Sequence, residues 1–335
     1  MFNNLINIHD FIKLAEKAKQ GRLDRVFSRF LTGKKERVRQ AWDGSTGGGP
    51  KGWGDIKLIR EHWNFMVSGE AETDFRKFIC NKFFPGKNLL LALSLGCGAG
   101  VNELKWAEAG SFKRIDAYDL SEARIKLARK KALEKGQKQK TVLNFQAGDV
   151  FKLEGRENYY DVVICEASLH HFSPLDKIML KIQSFLKEDG FFVINEFVGP
   201  TRFQWTNRQM ELVNAILPLL PSKYRIRWGC DQVKSSTYRP SRLSMVLWDP
   251  SEAVESSSIL PLLHRTFDVL DVRAYGGTIL NLLFQEIAHN FLSDDEETLD
   301  LIRLCIDLET KLLKHKEIES DFAVAVCRKK GWIIE

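Results

Sequence analysis

Cysteine is scarce and unpatterned in this sequence. Six occur in 335 residues, at positions 80, 97, 165, 230, 305 and 327, with no Cys-x-x-Cys pair and no spacing typical of a metal site. Two of them, Cys97 and Cys165, fall on segments expected to be buried, where a reduced thiol behaves as a small apolar group. A reducing, cytoplasmic setting and no bound metal are therefore expected. No apolar run reaches the ~20 residues needed to span a bilayer, and the N-terminus lacks the apolar core of a signal peptide, so a soluble chain without a membrane span is expected. Charge of one sign is also lacking. The net +6 is mild and spread along the chain, which points to no stable nucleic-acid partner. Internal repeats and low-complexity tracts are absent.

What is present is a long chain with 44% hydrophobic residues, enough to bury a large core. Its most informative segment is Leu91-Ala-Leu-Ser-Leu-Gly-Cys-Gly-Ala-Gly100. The apolar run reads as a buried parallel strand, and Gly96, Gly98 and Gly100 turn it into a helix where backbone must approach a ligand closely. A second strand, Arg114-Ile-Asp-Ala-Tyr-Asp119, ends in an acid roughly 20 residues beyond the glycines, where a carboxylate can accept from both ribose hydroxyls. Strand and helix then alternate: 89–95, 101–109, 114–119, 121–135, 141–147, 160–165, 174–187 and 190–196. Such alternation implies a parallel sheet covered by helices on both faces. A sixth strand follows at Thr266–Arg273, two helices at about 278–292 and 296–317, and a last strand at Asp321–Arg328.

The dinucleotide fingerprint would need glycine at position 101, where Val101 stands. The Gly-x-Gly-x-Gly turn with an acid ending strand two instead resembles the class I S-adenosylmethionine (SAM)-dependent methyltransferases. The resemblance continues through Phe145-Gln-Ala-Gly-Asp149-Val150, then Tyr160–Phe172 with its Glu166-Ala-Ser-Leu-His-His171 step, then Phe185–Glu196 with a glycine turn before strand five. It implies a Rossmann-like, doubly wound α/β sheet of seven strands in the order 3-2-1-4-5-7-6, with the last strand antiparallel. It also implies a SAM cofactor held by Gly96, Cys97, Gly98, Gly100, Asp119, Leu120, Asp149, Val150, Glu166 and Ala167. Relatives often place an acid two residues before the first glycine. Ser94 stands there, and Glu103 either compensates or is simply an acid at a helix N-terminus.

Methyl transfer to a hydroxyl needs a base, and His170, His171 and Glu196 lie at the carboxyl ends of strands four and five, where open α/β sheets bind ligands. The alternative for the histidines is packing or capping. The chain divides into a helical N-terminal extension or lid, 1–84, and a methyltransferase domain, 85–335, with a substrate-side insertion at 197–264. Within the extension, residues 5–41 read as a basic amphipathic helix and Gly44–Pro50 as a joint, while His62-Trp63-Asn64 either covers the cofactor or packs in the core. The insertion carries six arginines between 200 and 242, interleaved with aromatic residues. Arg202 and Trp205, with Tyr275 after strand six, are substrate-contact candidates, and the alternative is arginines paired with Glu211 and Asp231. The expected reaction is O-methylation of a small-molecule or sugar acceptor. No Asp/Asn-Pro-Pro-aromatic step follows strand four, which argues against methylating base amino groups. An RNA methyltransferase and a non-catalytic SAM-binding protein are the alternatives, and a homodimer is one assembly left open.

Overall fold

The computed structural model describes residues 4–6, 33, 36–38, 51–135 and 140–331. The basic helix expected at 5–41 and the joint at 44–50 lie almost wholly outside the described residues. Strands β1 (Leu90–Leu95), β2 (Phe112–Asp119), β3 (Val142–Ala147), β4 (Tyr160–Glu166), β5 (Leu186–Phe197), β6 (Phe267–Gly276) and β7 (Phe322–Lys329) form one sheet. Its order is β3-β2-β1-β4-β5-β7-β6. Pairing from β3 through β5 is parallel, and β7 runs antiparallel to both β5 and β6. This is the expected topology.

The sheet is buried on both faces because the middles of its central strands are apolar, with alternate side chains pointing to opposite sides. Leu93, Leu95, Val163, Cys165, Phe192 and Ile194 pack on one side with Ile178, Met179 and Ile182 of α5 (Leu175–Phe185) and with α8 (Ile259–Thr266). Ala92, Val162, Ile164, Phe191 and Val193 face the other side. There they meet α1 (Lys57–Ser68), α2 (Phe75–Phe83) and α3 (Val101–Ala109) through Val67, Ile79, Cys80 and Trp106. The expected helical block at 55–84 is thus two helices. It breaks at Gly69, which caps α1 at φ +87°, and restarts where the Asp74 carboxylate accepts from Arg76 N at 2.9 Å. Helix α4 (Glu122–Lys135) covers the outer strands through Ile125 and Ala128.

The insertion contributes α6 (Asn207–Ile216) and α7 (Arg242–Trp248), and builds a second apolar core with α9 (Leu280–Phe284) and α10 (Glu296–Lys314). The single helix expected at about 278–292 is interrupted. The buried Lys234 ammonium donates to the carbonyls of Leu282, Leu283 and Gln285, satisfying the last turn of α9, and Glu286 follows at φ +68°. That stop depends on a lysine distant in sequence, so no local pattern announces it. Among the described residues no helix is long and apolar enough to cross a membrane.

Candidate functional site

At the carboxyl edge of β1, β2 and β4 lies a cavity of about 410 Å³. Its floor is the glycine turn. Gly96, Gly98 and Gly100 adopt φ of +76°, +53° and +74°, a region that disfavours side chains. Crowding adds a second reason. A Cβ on Gly96 would sit 2.6 Å from the Ser168 Cβ, and one on Gly100 would sit 2.8 Å from Ala128 and Phe145. The Asp119 carboxylate, at the end of β2, accepts from Gly98 N and Ser121 N, both at 2.8 Å, so it ties the glycine turn to the start of α4. Helix capping proper falls to Ser121, whose hydroxyl accepts from Arg124 N. Asp149 accepts from Phe151 N at 3.1 Å.

Of the ten residues expected to hold the cofactor, Gly96, Asp119, Leu120, Asp149, Val150 and Ala167 line this cavity. The other four do not line it. The Gly98 amide is engaged by Asp119, Gly100 is the N-cap of α3, and the Cys97 side chain is buried against α4. Glu166 turns away from the cavity. Its carboxylate accepts from Arg76 and from Trp106 Nε1 at 3.0 Å, and Arg76 is further held by Asp74 and Asn102. Arg76 fastens α2 to the tip of β4, a role that nothing local in its sequence marks. Behind the turn, Ser94 Oγ donates to Glu103 Oε1 at 2.7 Å. The serine in the place of the family's acid therefore contacts the acid that follows the glycines. Burial pushes the Glu103 carboxyl up to about 7, partly offset by the Ser94 hydrogen bond, and its Oε2 is buried with no hydrogen-bond partner.

The loop after β4 forms the opposite wall. Ser168, His171 and Phe172 line the cavity, and Pro250, Ser251 and Val254 of the insertion close over it together with Val38. His170 lies behind His171, with ring centroids 4.1 Å apart. Its Nδ1 is 2.6 Å from Glu196 Oε2, and Glu196 Oε1 accepts from Ser168 N and Leu169 N at 2.7 and 2.6 Å. Burial alone would lower the His170 pKa. Glu196 and Glu252 outweigh that and raise it to about 10. For His171, burial and the neighbouring His170 cation lower the value to about 3. At neutral pH the ring facing the cavity is thus uncharged and the ring behind it carries the proton.

This corrects two expectations. Glu196 is 1% exposed and wholly engaged in holding the loop, so it does not face an acceptor as a base. His170 is held between two carboxylates, and only His171 of the pair lines the cavity.

The substrate-contact candidates are also placed elsewhere. The Arg202 guanidinium donates to the carbonyls of Glu252 and Pro250, at 3.1 and 2.9 Å, while its own amide reaches Ala253 O. It clamps the loop that closes the cavity. Trp205 is stacked on Phe203 in the second core. Tyr275 donates to Asn195 Oδ1 at 2.6 Å and packs on Trp63, which itself meets Trp53. The glycines after Tyr275 belong to a structural turn, whose Gly277 and Ile279 amides donate to the buried Glu309. Other arginines of the insertion are engaged within the protein, Arg208 with Glu211 and Glu317, Arg227 with Glu286, and Arg239 with Trp205 O and Asn207. The insertion was expected on this side of the sheet, but Arg124, Phe151 and the particular residues Pro250, Ser251 and Val254 were not singled out as cavity walls. Asp249-Pro-Ser-Glu252 carried a turn signature, but its position over the glycine turn is purely tertiary.

Comparison with known proteins agrees with this geometry. Residues 87–235 match a family model described as a methyltransferase domain. Over 108 residues the chain is 27% identical to YcgJ, an uncharacterized methyltransferase of Bacillus subtilis (strain 168), covering 32% of this chain and 41% of that protein. Over 104 residues it is 30% identical to the ubiquinone biosynthesis O-methyltransferase of Pasteurella multocida (strain Pm70), covering 29% of this chain and 42% of that protein. The crystal structure of YcgJ is similar at a TM-score of 0.42 and 17% identity, covering 76% of this chain and 99% of that one. The matched segments span about two fifths of the length of the two curated relatives. Strand order, glycine turn and strand-two acid agree with the family match, and residues 87–235 form a methyltransferase domain of the class I, SAM-dependent kind.

Proposed function

We propose that this chain transfers the methyl group of SAM to an oxygen of a small-molecule or glycan acceptor. The observation that carries the reading is the single cavity wall shared by the glycine turn, Asp119, Asp149 and the 250–254 loop. At about 410 Å³ it falls within the usual size range of small-ligand pockets, ~300–1,000 Å³. SAM supplies a methyl group on a positively charged sulfur, which is an excellent leaving group. The protein's task is to hold the acceptor in line with that methyl group and to exclude water.

Asp119 is positioned to receive the ribose hydroxyls, and Asp149 with the Phe151 ring borders the adenine end. The unpartnered Glu103 Oε2, buried behind the glycine turn, suits the amino group of the cofactor's methionine part. His171, neutral and facing the cavity, meets the acceptor side without adding a charge. Oxygen as the target draws further support from the relative named as an O-methyltransferase. A cofactor-consumption screen across sugars, nucleotide-sugars, phenols and carboxylic acids, with product mass recorded, tests the acceptor class. A product heavier by one methyl group on a hydroxyl supports the reading. Turnover of RNA alone, with steep salt dependence, overturns it in favour of the nucleic-acid alternative.

The position of Arg202 gives a second test. If it clamps the closing loop, Arg202→Ala weakens SAM and acceptor together, each by about fivefold, close to 1 kcal/mol for lost hydrogen bonds at a partly buried site. A rise in the acceptor KM with SAM affinity unchanged would return Arg202 to direct acceptor binding.

A further inference from the structure

We infer that His170, His171 and Glu252 form a divalent transition-metal site, of the zinc type, in the wall of the cavity. One ligating atom from each residue lies within 4.8 Å of the other two. His170 Nε2 and Glu252 Oε1 are 3.5 Å apart. That is long for a hydrogen bond to nitrogen, which usually ends near ~3.2 Å. It is close to the ~3.3 Å that separates two ligands of a tetrahedral ion with bonds of ~2.0–2.1 Å. His171 and Glu252 are half-buried, and modest rotations of the two side chains would close the remaining edges around an ion.

The groups behind the cluster match what a metal-binding histidine requires. His170 directs Nδ1 to Glu196, which fixes the ring and leaves Nε2 toward Glu252. Glu196 is itself immobilised by the Ser168 and Leu169 amides. A histidine oriented by a carboxylate in this way is the usual support for a bound ion. The local charge also suits a cation, because Glu196, Glu252 and Asp249 converge here. Among the described residues the opposing cations are Arg124, near His171, Arg202, which already donates to loop carbonyls, and the His170 ring itself, whose Nε2 proton a bound ion displaces.

Two imidazoles and one carboxylate suit zinc and its late first-row neighbours and leave a coordination position open. His171 and Ser251 both line the cavity, so that position is reachable by an oxygen ligand entering there. Metal-ligand spacing was not visible in the sequence because the carboxylate comes from the insertion, far along the chain from the two histidines.

The test is titration of the chelator-stripped full chain with Zn²⁺ and with Co²⁺, followed by calorimetry and, for Co²⁺, visible absorption. One equivalent is expected to bind in the micromolar range, with cobalt bands typical of a four-coordinate nitrogen and oxygen site. Glu252→Gln and His171→Asn should each weaken binding at least tenfold, with circular dichroism checking that the variants fold. Cys230→Ser, which removes the exposed thiol, should leave binding unchanged. Absence of stoichiometric binding overturns the inference. So does binding that survives both site changes or disappears with Cys230→Ser. Binding is read without turnover, so failure here leaves the methyl-transfer reading standing, and failure of that reading leaves the metal test intact.

Discussion

Glu196→Ala is expected to destabilise the fold by about 3–5 kcal/mol, the range for removing one partner of a buried charged pair. The carboxylate serves three donors at once, the Ser168 and Leu169 amides and the His170 ring, at 2.6 to 2.7 Å. Alanine would leave two buried amides without acceptors and an imidazole beside an emptied space. Glu196→Gln should be milder, at about 1–2 kcal/mol, because its amide oxygen can still accept from both backbone groups while the tautomer of His170 adjusts. Denaturant unfolding of the two variants checks both magnitudes. Equal, near-zero losses would show that Glu196 does not organise the loop after β4, and the account of His170 would fall with it.

Asp119→Ala is expected to weaken SAM binding by about 1.5–3 kcal/mol, roughly ten- to 150-fold, since hydrogen bonds to a charged acceptor are the stronger kind. Two contributions add. The ribose loses its acceptor, and Gly98 N and Ser121 N lose the carboxylate that ties the glycine turn to α4. Asp119→Asn separates them. An amide oxygen can keep one backbone contact, so Asn should recover the thermal stability lost in Ala while recovering only part of the affinity. Calorimetric titration with SAM and with its demethylated product measures this. Unchanged affinity in Asp119→Ala would remove the residue from the site.

The order and direction of the strands were legible because they rest on local signals that the fold does not override. Apolar runs such as Leu90–Leu95 and Tyr160–Glu166 are buried on both faces, and glycines mark the turn that must take positive φ. Even the antiparallel β7 came through the family likeness of the last two strands. The glycine-turn side of the cavity was legible for the same reason, since Gly96, Asp119 and Asp149 stand at strand ends whose position follows from the topology.

Which residues of the insertion reach the cavity was not legible. Arg202 and Trp205 carry residue types suited to binding, yet a guanidinium satisfied by the Pro250 and Glu252 carbonyls and an indole stacked on Phe203 serve the insertion's own packing. Nothing in a linear pattern separates an arginine that clamps a loop from one that meets a ligand. Pro250 and Ser251 reach the cavity wall only through tertiary folding, and the pairing of Arg76 with Glu166 joins two segments ninety residues apart. Glu196 shows the same limit in reverse. Its place at the end of β5 suggested a base, whereas the surrounding amides make it the anchor of the β4 loop.

The central claim is that the cavity between the glycine turn and the 250–254 loop is a SAM site. Isothermal titration of the full chain with SAM tests it most directly. The account predicts one equivalent bound with a dissociation constant in the micromolar range, about −8 kcal/mol, and competition by the demethylated product. No detectable heat with SAM, together with saturable binding of NAD, would contradict it.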